Sequence, residues 1–211
     1  MSQGCLWSSP LQVFASRTGT RRSLDLFRRW GWHLLVSSRG VLRTEGFLYS
    51  IDNGAWTAHQ RGEPFCEQSY LRSVSLLGRD AQWIVLPDVV GDAPATEAMA
   101  RAWAPRLSGH RLMFVLQDGV TSAAVRRIHS EFGLHGVFIG GSSIWKDSAI
   151  RPWADWVASE GMICHVGRVN TRNRLALCVA AGVDSVDGSG VSRFTSHAIA
   201  FRRWCVELGA V

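Results

Sequence analysis

Short apolar runs recur along the chain, and beyond the first quarter they alternate regularly with segments whose apolar residues fall at helical spacing. Residues 11–16 (LQVFAS) make the first run. The segment after it carries Leu24, Phe27 and Trp30 on one helical face, and Thr20 stands where an N-cap is needed. Runs at 32–37 (WHLLVS) and 47–52 (FLYSID) follow, joined by a short link containing glycine. Helices are then predicted over 66–78, 95–107, 121–133, 147–161 and 171–182. They precede strands at 82–88, 111–117, 136–141, 162–169 and 183–188, respectively. Thr121 and Gly133 bracket the third of these helices as start and stop signals. A last helix is predicted over about 194–208.

Eight strands of nearly unbroken apolar character, mostly separated by helices, predict parallel βα units buried on both faces. Eight such units predict a compact α/β fold, a (β/α)8 barrel of the TIM type. With no low-complexity tract and no Gly/Ser linker, residues 1–211 are read as one domain. A doubly wound open sheet is the alternative, but no GxGxxG follows the first strand.

Composition narrows the setting. No apolar run approaches about 18 residues, so no transmembrane helix and no membrane partner are predicted. The N-terminal MSQGCLWSSPLQVFAS lacks the basic and long apolar regions of a signal peptide. Five cysteines (Cys5, Cys66, Cys164, Cys178, Cys205) are scattered with no CxxC spacing. That predicts neither a disulfide framework nor a metal site, and fits a reducing cytoplasm. The net charge is +6, and Lys146 is the only lysine among 23 basic residues. Arginine's planar fork suits phosphate, so a surface that meets nucleic acid is compatible with this charge; GC-rich codon usage explains it equally well.

In such a barrel the chemistry gathers at the C-terminal ends of the strands. Standing there are Asp52-Asn53-Gly54, Asp88, Gln117 and Asp118, Gly140-Gly141-Ser142-Ser143, then His165, Arg168 and Asn170, and finally Asp184 to Gly188. Each position alone suits a turn or a helix cap. Together they offer two carboxylates, Asp52 and Asp187, from distant strands. Such a pair serves reactions that pass through a sugar cation. A Gly-Gly pair would let a planar ligand lie against the backbone, and an Asp with a Gln would match a purine edge.

These residues also resemble a known family. DNGAW resembles the D-S-G-G-F segment of the tRNA-guanine transglycosylases, FVLQDG their V-Q-G-G, GVFIGG their G-x-x-I-G-G, and GVDSVDGSG their G-I-D-M-F-D-C-V. The matches run in the family's order over roughly residues 47–193. The resemblance implies that Asp187 is a covalent nucleophile and Asp52 a general acid/base. It implies a guanine pocket of Asp88, Gln117, Gly140 and Gly141, with His165 at its lining. Asp184 is the rival for the nucleophile's role.

The family's zinc-binding C-x-C-x-x-C…H segment is absent, GSGVSRF replaces its P-T-R segment, and the chain is short. With ASRTGTRR, IWKDSAI and HVGRVNTRNRL, this is similar to the DNA-acting branch, the deoxypurine-in-DNA protein A family of phages and bacterial modification islands. That similarity implies exchange of guanine in DNA for a 7-deazaguanine base such as preQ0. No cofactor is implied, and the place of action would be the cytoplasm of a bacterial or phage-infected cell. Arg168, Arg172, Arg174 and Arg193 would hold phosphates, and Trp56 or Trp145 would stack on a base. A tRNA- or nucleoside-acting relative, or a non-catalytic nucleic-acid-binding barrel, are the competing expectations.

Overall fold

A computed structural model describes residues 10–16 and 20–211. Cys5, the N-terminal segment 1–9 and residues 17–19 of ASRTGTRR lie outside the described residues.

Eight parallel strands close into a barrel in sequence order. They are β1 (Gln12–Ser16), β2 (His33–Ser37), β3 (Tyr49–Asp52), β4 (Ile84–Val85), β5 (Leu112–Leu116), β6 (Gly136–Ile139), β7 (Ile163–Val166) and β8 (Ser185–Gly188). The chain is a (β/α)8 barrel. Its helices are α1 (Arg21–Arg29), α2 (Ala55–Gln60), α3 (Glu67–Leu77), α4 (Ala93–Trp103), α5 (Ser122–Phe132), α6 (Ser143–Ser159), α7 (Arg172–Ala181), α8 (Ser189–Arg193) and α9 (Thr195–Glu207). No helix among the described residues is long and apolar enough to cross a membrane.

Five of the helices begin where polar caps take up the first free N–H groups. The side chains of Thr20, Asp92, Thr121, Ser142 and Thr171 each accept from a backbone N–H in the first turn of α1, α4, α5, α6 and α7. As expected, a glycine-containing link without a helix, residues 38–48, joins β2 to β3. Two details depart from the sequence expectation. β4 shrinks to Ile84–Val85, because Pro87 has no N–H to extend the ladder. α6 starts at Ser143 rather than Asp147, with Ser142 as its cap.

The strands alternate between two cores. Outward side chains such as Leu34, Ile51, Phe114, Val137 and Val186 pack under the helices. Phe14, Leu35, Trp83, Val85, Met113 and Val115, joined by Phe138 and Ile163, fill the interior. His165 lies in this interior layer, its ring 4.6 Å from that of Phe138, 5.1 Å from Trp83 and 5.6 Å from Phe14. Continuing the two-residue period toward the C-terminal ends aims Ser37, Asp52, Gln117, Gly140, Gly167 and Asp187 inward, above that aromatic floor.

Candidate active site

Asp187 closes the inward face of β8, in register with Phe14 of β1. Two donors converge on its Oδ1: His165 Nε2 at 3.1 Å and the Arg168 backbone N–H at 3.3 Å. A carboxylate only accepts, so Nε2 carries the imidazole proton. The other ring nitrogen, Nδ1, lies 2.8 Å from the Ser185 hydroxyl. The fully buried imidazole is thereby satisfied at both nitrogens. Among the described residues no hydrogen bond reaches Asp187 Oδ2, which leaves that oxygen available for chemistry.

Asp52 ends β3, with Ser37 of β2 as its register partner. Its Oδ2 accepts from the Gly54 N–H at 3.1 Å. Burial, then the negative charges of Asp187 and Asp88, push its pKa up to about 7. The sensitivity to both charges means that the three carboxylates share one electrostatic site. Gly54 takes a positive φ of 80°, and a Cβ there would strike the Ser38 and Arg39 side chains. Only glycine fits the turn that brings Asp52 and Asn53 to the mouth.

Asp88 is held from two sides. Asn53 Nδ2 donates to its Oδ1 at 2.7 Å, and Gln117 Nε2 donates to its Oδ2 at 2.7 Å. Asn53 Nδ2 also donates to the Leu86 carbonyl, while Gln117 Oε1 accepts from the Gly91 N–H. All three side chains are buried. Burial lifts the Asp88 pKa to about 6, against the pull of the two amides and of Arg168. Asn53 sits in the quoted DNG turn yet has no role in the sequence reading, because a turn asparagine and a network asparagine look alike in one dimension. Asn53→Ala is expected to cost about 1–3 kcal/mol, since the Leu86 carbonyl and one Asp88 oxygen lose their donor. Chemical denaturation checks this.

Gly140 and Gly141 follow β6. Gly140 packs against Val115 and the Gln117 amide without space for a side chain, and Gly141 lies on the Trp145 ring. Trp145 is therefore a support beneath the glycine pair, not a free stacking surface, which corrects one expectation. Asp118 locks this loop: its two oxygens accept from the Ser142 N–H and hydroxyl, each at 2.6 Å. Although burial acts the other way, those bonds hold the Asp118 pKa below the usual carboxylate range.

Arg168 departs from its expected part as a phosphate ligand. It is half-buried and turned across the mouth, its guanidinium 3.9 Å above the Trp56 ring and donating to the Gly140 and Gly141 carbonyls. Arg172 is exposed and paired with Glu207 at 3.3 Å. Arg174 is clamped by Asp147. Arg193 is exposed and has no ion-pair partner among the described residues. Beside it stands Phe194, 65 % exposed.

Asp184 does not belong to this rim. It precedes β8, and its Oδ2 accepts from the Cys164 N–H at 2.7 Å at the opposite, N-terminal end of the strands. There it borders a cavity of about 570 Å³ together with Gln12, Trp83, Arg111 and His135, remote from Asp52 and Asp88. Among the described residues no cluster of three or more His, Cys, Asp or Glu side chains could hold a metal ion. Cys66, Cys164, Cys178 and Cys205 are free thiols.

Gly167 is another tight point of the site. A Cβ there would lie 2.5 Å from the Phe138 ring and 3.2 Å from Asp187 Oδ1. Gly167→Ala is expected to destabilise the fold by about 1–3 kcal/mol through overpacking. It should also displace Asp187, seen as a lower melting temperature with loss of any Asp187-dependent activity.

No family model matches the chain. No curated protein matches it either. Among solved structures it is similar to a cube-shaped, highly porous protein cage designed by fusing symmetric oligomeric domains, with 14 % identity and a TM-score of 0.58 over 95 % of this chain and 74 % of that one. Matching chains number 289, so the likeness speaks for a widely used barrel and not for any one chemistry.

Proposed function

We propose that the protein is a DNA-guanine transglycosylase that exchanges guanine in DNA for a 7-deazaguanine base such as preQ0, through a covalent Asp187–deoxyribose ester. The observation that carries this reading is one mouth holding three carboxylates in three different states. Asp187 has one oxygen held by two donors and one free. Asp52 sits with a pKa of about 7, poised to give and take a proton. Asp88 is immobilised by two amides. Divergent environments for neighbouring acids are the mark of assigned acid, base and nucleophile roles.

In the first displacement Asp187 Oδ2 attacks C1′ while the C1′–N9 bond breaks. The bonding pair leaves with the guanine, and Asp52 supplies the proton the departing base takes up. In the second, the N9 of the incoming deazaguanine attacks C1′, its proton passes to Asp52, and the ester bond breaks to regenerate the Asp187 carboxylate. Two inversions retain the anomeric configuration.

The guanine edge would lie against Asp88. Because that carboxylate cannot turn away from its amide partners, its remaining lone pairs are aimed for the N1–H and N2–H groups. The target nucleotide must be turned out of the duplex or be presented single-stranded. Arg193, with Phe194 beside it, and Arg172 would offer exposed charge and an apolar edge to the flanking strand. The place of action would be the cytoplasm of a bacterial or phage-infected cell.

Incubation with radiolabelled guanine separates the readings. Label is expected to enter DNA, and not tRNA or free deoxyguanosine. Label in tRNA would transfer the proposal to RNA. Binding of DNA with no exchange in any substrate would leave a nucleic-acid-binding barrel.

A further inference from the structure

Lys146 is unused by the mechanism above and is oddly placed. It lies in the first turn of α6, the positive end of the helix dipole, where a cation is disfavoured. Its side chain is fully buried. A buried ammonium without an anionic partner is costly, and burial, reinforced by the charges of Arg168 and Arg174 and opposed by that of Asp187, pushes its pKa down to about 7. Every other basic residue of the 23 is arginine. Lysine places a compact ammonium at the end of a flexible stem.

Its single hydrogen bond explains the placement. Lys146 Nζ donates to the Gly167 carbonyl at 2.5 Å. The same peptide unit carries the Arg168 N–H, which donates to Asp187 Oδ1. Arg168 itself takes a φ of 59°, in the left-handed region that a non-glycine residue occupies at a cost. The peptide is thus held in an unfavoured orientation, with the ammonium on its oxygen and the carboxylate on its nitrogen.

We infer that Lys146 is a positioning residue: it fixes and polarises the Gly167–Arg168 peptide so that the Arg168 N–H faces the Asp187 carboxylate. The geometry stands on its own, while the catalytic consequence rests on the base-exchange reading. There, a fixed donor on Oδ1 stabilises the carboxylate as it leaves C1′ in the second displacement.

The test uses Lys146→Met and Lys146→Arg in the full chain. Methionine fills the same space without the charge, and replacing a buried ion by an apolar residue is commonly tolerated. Lys146→Gln serves as the second variant should Lys146→Met not fold. Amide hydrogen exchange is the first readout. In Lys146→Met the Arg168 N–H is expected to exchange at least about tenfold faster, while amides of β6 and α7 keep wild-type protection. Lys146→Arg should restore part of the protection. Unchanged Arg168 exchange, or equal loss across the barrel, would overturn the inference.

Kinetics is the second readout. kcat for base exchange is expected to fall at least about tenfold in Lys146→Met, with KM for DNA unchanged. A variant that loses Arg168 protection yet keeps wild-type kcat would overturn the positioning role. If the wild-type protein exchanges no base at all, the functional reading fails, and amide exchange alone still decides whether Lys146 sets the peptide.

Discussion

Asp187→Ala is expected to abolish base exchange, lowering kcat by roughly 10⁴-fold or more, because neither Asp52, the proposed acid, nor Asp88, bonded at both oxygens, can take the proposed nucleophile's part. Asp187→Asn is expected to lose activity to a similar extent but to differ in stability. Alanine leaves His165 Nε2 and the Arg168 N–H without an acceptor, and a buried unpaired donor costs about 1–3 kcal/mol. Asparagine keeps an acceptor oxygen for both. A melting temperature ordered wild type, then Asn, then Ala, with exchange lost in both variants, separates the chemical role of this carboxylate from its structural one. Activity retained in either variant would remove Asp187 from the mechanism.

The second large effect is on pH dependence through Asp52. Its pKa of about 7 arises from burial and from the charges of Asp187 and Asp88. In the proposed mechanism protonated Asp52 is the acid of the first displacement, so kcat/KM for DNA is expected to fall about tenfold per unit above pH 7. Once Asp187 is esterified its charge is gone and the Asp52 pKa drops, so the same group stays ionised and can accept the proton of the incoming base. kcat/KM for that base should therefore lack the alkaline limb. Asp52→Asn is expected to remove the limb along with most of the activity.

Stability gives an independent check with a definite sign. The folded chain keeps the Asp52 proton up to about pH 7, whereas the unfolded chain releases it near the ordinary value of about 3.9. The folded state binds more protons across that window, so its stability falls as pH rises through it. Asp52→Asn should thus gain melting temperature relative to wild type as pH is raised from 5 to 8. A constant difference would mean that Asp52 is ionised throughout.

Much of the barrel is legible in one dimension because parallel strands covered on both faces leave nearly unbroken apolar runs. All eight strands occur at the expected places. Thr20, Thr121 and Gly133 marked helix ends because a cap is a local feature. What escaped was decided by neighbours distant in sequence. α2 and α8 are too short to show a periodicity. The serines at 142–143 read as rim loop until Asp118 is seen to bond Ser142.

The same division applies to the site. Asp52, Asp88, Gln117 and Asp187 were visible as polar residues ending apolar strands. Their pairing was not: the His165–Asp187 contact spans 22 positions, and the Asn53–Asp88 contact spans 35. Arg168 looked like one more surface arginine, because nothing in its neighbours announces a left-handed backbone or a Trp56 platform. Lys146 did leave a trace, as the lone lysine in an arginine-rich chain, but its partner is a backbone carbonyl, which no side-chain pattern encodes.

The most direct measurement of the central claim is peptide mapping by mass spectrometry of protein quenched in acid after mixing with guanine-containing DNA and no incoming base. The account predicts a deoxyribosyl strand attached to the peptide carrying Asp187, absent from Asp187→Asn and discharged when a 7-deazaguanine is added before the quench. An adduct on any other residue, or release of guanine with no adduct in the wild-type protein, would contradict it.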